Sequence, residues 1–235
     1  MIDSSAIRDR LSGVRDRIAR AAGRSGRDPS AIRLVAVSKT FTAEHVRAAA
    51  AAGQVDFGEN KVQEGLQKIA QTSDLQIEWH LIGHLQSNKA RKAGSHFDLI
   101  HSVDAAALVK RIDEGAADSG KRPRLLVQVD LAGEPTKHGA REEELASIFT
   151  AAREATLVRL VGLMLLPPAT DDPEETRPFF RALRGVRDRL LAAGIDPAML
   201  RELSMGMSHD FEVAVEEGAT MVRVGSAIFG QRSTP

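Results

Sequence analysis

Eight short apolar segments alternate with longer amphipathic segments along this chain of 235 residues, and that alternation limits its fold more than any other feature. The apolar segments predict β-strands at residues 32–38, 55–58, 77–82, 97–103, 124–131, 158–166, 202–205 and 221–225. Helical patterns lie between them, near 43–52, 61–72, 87–93, 104–119, 141–153, 174–193 and 209–217. Strands that alternate with helices form parallel βαβ units, and eight such units predict an α/β fold, a single (β/α)8 barrel of the TIM type. A doubly wound open sheet is the alternative, because the number of strands does not by itself close a barrel.

An extra helix is predicted before the first strand. Apolar residues recur at helical spacing over residues 3–22, namely Ile7, Leu11, Val14 and Ile18. We therefore expect one domain over residues 1–235, in which residues 1–25 form a helix packed on the barrel.

The composition excludes several classes of protein. Lysine plus arginine and aspartate plus glutamate each number 32, so the formal net charge is zero and no nucleic-acid or membrane surface is indicated. The absence of cysteine excludes disulfides, thiolate zinc sites and cysteine nucleophiles. The N-terminus has no signal-peptide pattern, and no apolar run approaches membrane-spanning length. A cytoplasmic protein with neither nucleic-acid nor membrane partners is expected.

Two charged residues are predicted to face the inside of the barrel mouth. Lys39 ends the apolar run IRLVAVSK, at the C-terminal end of the first strand. Arg223 lies between Val222 and Val224, whose apolar side chains belong under the outer helices, so that Arg223 turns inward. The first and last strands of a closed barrel are neighbours, and barrel active sites lie at the C-terminal face. A lysine in that position can form a Schiff base with an aldehyde.

A phosphate site is predicted next to these two residues, because barrels often bind phosphate with the loops after strands seven and eight. Here those strands end at Ser204-Met205-Gly206-Met207-Ser208 and at Gly225-Ser226. Glycine lets the backbone approach an anion, and serine adds hydrogen-bond donors. A Schiff-base lysine with a phosphate cradle suggests pyridoxal 5'-phosphate (PLP), a phosphorylated aldehyde. A barrel enzyme that acts on a phosphorylated sugar through a lysine Schiff base uses the same groups and stays open.

Polar residues after strands two and three are weaker candidates. Asn60 and His80 can contact a ring or hydroxyl in the mouth, but each can equally be a structural polar residue. His80 and His84 have the spacing of helical zinc sites, yet on a strand and its exit loop this spacing does not direct both at one metal. No metal site is predicted.

Six segments resemble the pyridoxal phosphate homeostasis protein family, which is related to the barrel domain of bacterial alanine racemase. They are AVSKT at 36–40, FGENKVQEG at 57–65, WHLIGHLQSNK at 79–89, GLMLLPP at 162–168, LSMGMSHD at 203–210 and MVRVGSAIFG at 221–230. They span nearly the whole chain in family order. The resemblance implies a single PLP-binding (β/α)8 barrel.

The resemblance also implies roles for individual residues. Lys39 is similar to the Schiff-base lysine, and Arg223 to the arginine that faces the pyridine nitrogen. The cradle for the phosphate corresponds to Ser204, Gly206, Gly225 and Ser226, and the pocket wall to Asn60, His80 and Met164.

The resemblance has one further implication and two exceptions. Lys137 stands in a segment like the family's Lys-x-Gly loop, which implies a secondary contact with PLP. The chain departs from the family at His84, where many members have proline, and at Ser226, where threonine is common. Serine keeps the hydroxyl, so the second departure should have little effect.

Two functions follow for such a barrel. Arg223 at the pyridine nitrogen would keep that nitrogen unprotonated, because one positive charge disfavours another nearby, and the ring would be a weaker electron sink. Alanine racemases use the lysine and a partner subunit's tyrosine as bases, whereas this sequence has no tyrosine and no C-terminal β domain after residue 230. The expected function is non-catalytic: intracellular PLP (vitamin B6) homeostasis, with PLP held on Lys39 and buffered or delivered. A weak PLP-dependent racemase or another small PLP enzyme is the alternative.

A carrier also has to release its ligand. A phosphate cradle without lysine should hold the dianion less tightly than one with lysine, so moderate affinity is expected. The partners expected are PLP itself and apo PLP-dependent enzymes. The lack of a dimerising β domain predicts a monomer.

Overall fold

The barrel is closed. In the computed structural model, which describes residues 2–133 and 138–231, eight parallel strands pair in chain order and β8 returns to pair with β1. The strands are β1 Arg33–Val37, β2 Asp56–Glu59, β3 Glu78–Leu81, β4 Leu99–Val103, β5 Arg124–Gln128, β6 Arg159–Met164, β7 Glu202–Ser204 and β8 Met221–Val224. The predicted (β/α)8 barrel is confirmed. An open sheet is excluded, because β1 has a parallel neighbour on both sides.

Helices surround the barrel at the positions that the periodicity predicts, with small shifts at their ends. They are α1 Ser4–Arg24, α2 Ala43–Ala51, α3 Val62–Gln71, α4 Ala90–His96, α5 Ala106–Ser119, α6 Leu145–Glu154, α7 Arg177–Ala192, α8 Phe211–Glu216 and α9 Ser226–Phe229. The helix starts that shift most are those of α6, α4 and α7, because separate 3-10 turns precede them at Glu142–Glu144, Ser87–Lys89 and Pro173–Thr176. Within the described part of the chain, no helix combines the length and the apolar character needed to cross a membrane.

The N-terminal helix α1 packs against α2, α8 and α9, around the seam between β1 and β8. Its first turn is capped by Asp3, whose carboxylate accepts hydrogen bonds from the backbone N–H groups of Ser5 and Ala6. The apolar residues at helical spacing are all buried, namely Ile7, Leu11, Val14 and Ile18. Burial of each stabilises the docked helix by about 1.5–3 kcal/mol relative to exposure.

Two apolar clusters form the core. The larger lies between the strands and the surrounding helices. The smaller is separated from it by the strands and lies inside the barrel; it comprises Leu99, Leu126, Val161, Met164 and Met221. Side chains alternate along a strand, so His101 shares the inner face with Leu99, and Arg223 shares it with Met221. Polar residues therefore share the barrel interior with this small apolar cluster.

Candidate functional site

A cavity of about 530 Å³ opens at the C-terminal end of the barrel strands. Its volume lies within the range of small-molecule binding sites. Five of the residues predicted from the sequence line it, and they come from the ends of β1, β2 and β8: Lys39, Asn60, Arg223, Gly225 and Ser226. The closed barrel thus brings a lysine, an arginine and the Gly-Ser segment to one cavity, although they lie far apart in the sequence.

Lys39 reaches the cavity from an unusual turn. It follows β1 by two residues and is half-buried. The next residue, Thr40, has a φ of 70°, and within residues 2–133 and 138–231 it is the one residue other than glycine with positive φ. A β-branched residue disfavours that conformation, and such strain persists where surrounding contacts impose it, often at functional sites. The contact here is a hydrogen bond of 2.6 Å from the Thr40 N–H to the Glu64 carboxylate.

A buried ionic cluster supports the same turn from behind. Lys68 Nζ donates to the Ser38 carbonyl at 2.7 Å, to Glu59 at 2.7 Å and to Glu64 at 2.8 Å. The Ser38 hydroxyl also donates to Glu59, at 2.6 Å. Burial raises the pKa of Glu59, against the opposing effect of Lys68 and Ser38. Lys68 thereby connects the end of β1 to the carboxylate that holds Thr40.

Arg223 forms a fixed cation in the floor of the cavity. Its side chain is buried, and its guanidinium donates to Ser204 Oγ at 2.6 Å and to the Leu165 carbonyl at 2.8 Å. Burial lowers the pKa of Arg223 to about 10, while the nearby charge of Asp210 opposes that shift. The guanidinium therefore stays charged at neutral pH, and its orientation is set by protein groups at the ends of two neighbouring strands, β6 and β7.

A chain of hydrogen bonds continues from Arg223 down through the barrel. Ser204 Oγ lies 2.9 Å from His101 Nδ1, and His101 Nε2 lies 3.0 Å from His80 Nδ1. His80 Nε2 then lies 3.0 Å from a carboxylate oxygen of Asp56, the first residue of β2. The chain thus extends from the N-terminal end of a barrel strand to the floor of the cavity.

With both imidazoles neutral and Asp56 ionised, only one proton arrangement satisfies all of these contacts. Arg223 donates to Ser204, whose hydroxyl donates to His101 Nδ1. His101 Nε2–H then donates to His80 Nδ1, and His80 Nε2–H donates to Asp56. The reverse arrangement would direct a nitrogen lone pair at the carboxylate. Burial, with neighbouring positive charge, holds the pKa of His101 well below its usual value, which favours the neutral ring.

Four of the predicted residues do not line the cavity. His80 and Ser204 belong to the hydrogen-bond chain below it, and Met164 is fully buried in the inner apolar cluster. Gly206 has a φ of 91°, and a Cβ there would come within 2.5 Å of the Ala214 side chain. His80 therefore fits the structural alternative rather than a contact in the mouth, because its inward strand position is one layer too deep and both of its ring nitrogens are hydrogen-bonded there.

Two further cavity residues lie in the quoted segment LSMGMSHD: Ser208, which belongs to the predicted strand-seven loop but is not one of the predicted ligand contacts, and His209, which lies one residue beyond that loop. Ser208 and His209 both line the cavity, and Ser208 Oγ accepts the Gly225 N–H at 3.1 Å. The helix α9 begins directly after Gly225, where a Cβ would come within 3.2 Å of the Val37 carbonyl. Extending the strand-seven loop by one residue includes His209. Lys137 lies outside the described residues.

Comparisons with known proteins match this architecture along the whole chain. The family model described as "Alanine racemase, N-terminal domain" matches residues 2–233. The pyridoxal phosphate homeostasis protein of Aquifex aeolicus is 43% identical over 224 residues, which cover 95% of this chain and 97% of the relative. The protein of the same name from Pseudomonas aeruginosa is 42% identical over 228 residues, with 97% and 96% covered.

Solved structures agree with these matches. PipY of Synechococcus elongatus, in a structure with PLP bound, superposes with a TM-score of 0.83 at 41% identity, over 95% of this chain and 100% of PipY. Alanine racemase from Corynebacterium glutamicum superposes with a TM-score of 0.73 at 20% identity, over 99% of this chain and 63% of the racemase. The racemase likeness is a likeness of fold.

Proposed function

This chain belongs to the pyridoxal phosphate homeostasis protein family, and we propose that it binds PLP in the mouth of its barrel. The observation that carries the proposal is that Lys39, Arg223 and the Gly225–Ser226 segment line one cavity of about 530 Å³. An amine, a fixed cation and a backbone segment suited to an anion are the three groups that a phosphorylated pyridine aldehyde requires. The PLP-bound structure of a homologue supports the same ligand.

Lys39 is the residue that we propose holds the ligand covalently. PLP supplies an aldehyde, with which a lysine amine condenses reversibly, and a conjugated ring that can withdraw electrons. The backbone directly after Lys39 is fixed by the strained Thr40 turn, which Glu64 holds in place. Because the condensation is reversible, Lys39 retains the ligand without committing it permanently.

Gly225, Ser226 and Ser208 are the proposed phosphate contacts. Gly225 and Ser226 stand at the start of α9, and Ser208 is already bonded to the Gly225 N–H. Backbone N–H groups at a helix start favour an anion, and the hydroxyls add donors. No lysine occurs in the segments 204–208 and 221–230, so moderate affinity for the dianion is expected.

Arg223 is proposed to face the pyridine nitrogen. Its two bonds to Ser204 and Leu165 hold the guanidinium in the floor of the cavity. A fixed positive charge there disfavours protonation of the nitrogen and therefore weakens the ring as an electron sink. This arrangement suits storage of the cofactor better than carbanion chemistry.

The physiological role that we propose is buffering of PLP in the cytoplasm and its delivery to apo PLP-dependent enzymes by a monomeric, non-catalytic carrier. The support is the reversible attachment at Lys39, the cavity that opens at the barrel mouth and the weakened electron sink. The sequence also contains no tyrosine, the residue that supplies the second base in alanine racemases.

An absorbance spectrum with added PLP, recorded before and after borohydride reduction and followed by peptide mapping, tests the proposal. We expect a visible band that reduction fixes onto Lys39. The variant Lys39→Ala should lose the label, whereas Lys92→Ala, at an exposed lysine on α4, should keep it. A label spread over surface lysines, or no label at all, would contradict PLP as the ligand and favour a phosphorylated sugar.

A separate assay tests the non-catalytic role. Alanine racemisation above a free-PLP control, if abolished by Lys39→Ala, would refute that role.

A further inference from the structure

A group of side chains that can bind a metal ion lies at the edge of the barrel mouth. It consists of His84 in the loop after β3, Asp104 directly after β4, and His138 beyond the end of β5. Their ligand atoms all lie within 4.8 Å of one another. The two imidazole rings are stacked with centroids 3.4 Å apart and planes 11° apart. His84 Nδ1 lies 3.9 Å from a carboxylate oxygen of Asp104.

The backbone holds His138 in this place. The Gln128 side-chain amide donates to the His138 carbonyl, and Ala140 forms a parallel bridge with Val129 at the end of β5. Between them, Gly139 has a φ of 152°, and a Cβ there would come within 2.8 Å of the Asp130 nitrogen. Only glycine fits that close approach without a shift, so the local sequence is suited to presenting His138 at this point.

The charge environment distinguishes this group from the other cluster of histidine and carboxylates in the described chain. That cluster, Asp56, Glu78 and His80, already contains cations: Arg33 lies 3.2 Å from both carboxylates, and Arg124 pairs with Glu78. Across residues 2–133 and 138–231, by contrast, no lysine or arginine forms an ion pair with Asp104.

We propose that His84, Asp104 and His138 bind a divalent transition-metal ion of the zinc class. Two imidazoles and one carboxylate are a ligand set typical of such ions, with water completing a tetrahedral shell. Two nitrogens bound to one tetrahedral zinc at about 2.0–2.1 Å are about 3.4 Å apart. The ligand atoms here lie within 4.8 Å of one another, so binding one ion requires the two stacked imidazoles to rotate until their nitrogens converge.

The site was not predicted from the sequence, because its three ligands come from three separate βα loops. His80 and His84 do not face one metal, as the sequence analysis predicts, because His80 lies inside the barrel and His84 at its edge. The metal site is independent of the proposed PLP function, although His84 also lines the large cavity.

Titration of the untagged protein with Co²⁺, followed by visible absorption, and with Zn²⁺, followed by calorimetry, tests the proposal. We expect one ion per chain and the intense visible absorption of tetrahedral Co²⁺. His84→Ala and His138→Ala should each weaken binding about tenfold or more. The matched control His96→Ala removes an exposed histidine on α4 and should bind as the wild type does.

Thermal unfolding supplies a second readout that needs no spectroscopic band. Zn²⁺ should raise the melting temperature of the wild type and of His96→Ala but not of His84→Ala or His138→Ala, because an ion that binds only the folded state stabilises it. Absence of saturable binding to the wild type would overturn the proposal. Equal binding by all four proteins would do the same, since it would place the ion elsewhere.

Discussion

The interior of the barrel and its mouth contain similar polar side chains, but their hydrogen bonds differ. In the interior, Ser204, His101, His80 and Asp56 are linked one to the next by contacts of 2.9–3.0 Å. At the mouth, the side chains of Asn60 and Ser226 line the cavity and have no hydrogen-bond partner among the described residues.

This difference separates two kinds of contribution. Buried polar groups stabilise a fold only when they are paired, and an unpaired one costs free energy. Polar groups in the open cavity can hydrogen-bond to water while no ligand is bound, so they remain available to hydrogen-bond to a ligand. Substitutions in the interior should therefore lower the free energy of unfolding, whereas substitutions at the mouth should lower ligand affinity and leave folding unchanged.

The largest loss of stability is expected for His101→Leu. The change keeps the approximate volume but leaves the Ser204 hydroxyl and His80 Nδ1 unpaired in the interior. Two such groups should cost about 2–6 kcal/mol of unfolding free energy, measured by urea denaturation. The surface control His96→Leu should stay within about 0.5 kcal/mol of the wild type. A His101→Leu protein as stable as the wild type would show that the chain of hydrogen bonds in the interior contributes nothing to folding stability.

Ser204→Ala should destabilise the protein by about 2 kcal/mol, since it removes one link and leaves Arg223 with one fewer acceptor. It should also shift the visible band of bound PLP, because the guanidinium is less firmly held. Ser102→Ala is the matched control: Ser102 Oγ is buried without a hydrogen-bond partner in the described residues, so its removal should cost nothing. Equal losses in both variants would contradict the distinction between paired and unpaired hydroxyls.

Acid should lower the free energy of unfolding through the buried His101 in the barrel interior. His101 has a lowered pKa in the folded protein because burial disfavours its charge, whereas in the unfolded chain it titrates near its ordinary value. Below about pH 6.5 the unfolded chain therefore binds more protons, and the unfolding free energy falls by up to about 1.4 kcal/mol for each further pH unit. Urea denaturation between pH 7.5 and 5.5 should show a smaller decrease for His101→Gln. If the unfolding free energy falls equally with pH in the wild type and in His101→Gln, the acid sensitivity belongs to other groups.

The smallest effect is expected at the mouth. Ser226→Ala should weaken PLP binding by about 0.5–1.5 kcal/mol, the usual worth of one hydrogen bond, and Ser226→Thr should be close to the wild type because it keeps the hydroxyl. Equilibrium dialysis measures the affinity, and urea denaturation should show unchanged stability for both variants. A lower unfolding free energy for Ser226→Ala would show that this hydroxyl stabilises the fold, as the interior groups do.

Strand periodicity was sufficient to orient Lys39 and Arg223, because alternation along a strand assigns each side chain to one face. It was not sufficient for His80 and His101. Both face inward, as alternation requires, yet they bond to each other below the cavity. His101 stands within an apolar strand on the same face as Leu99, and that exception was the available signal.

The sequence by itself determined the number and order of the strands, the extra N-terminal helix and the inward direction of the lysine and the arginine. These properties depend on periodicities that are local to each segment. The tertiary structure alone decided which inward polar residues reach the cavity and which lie beneath it. The reason is that strands in a closed barrel are tilted and staggered, so the depth of a residue depends on its neighbours across the sheet as well as its position along its own strand.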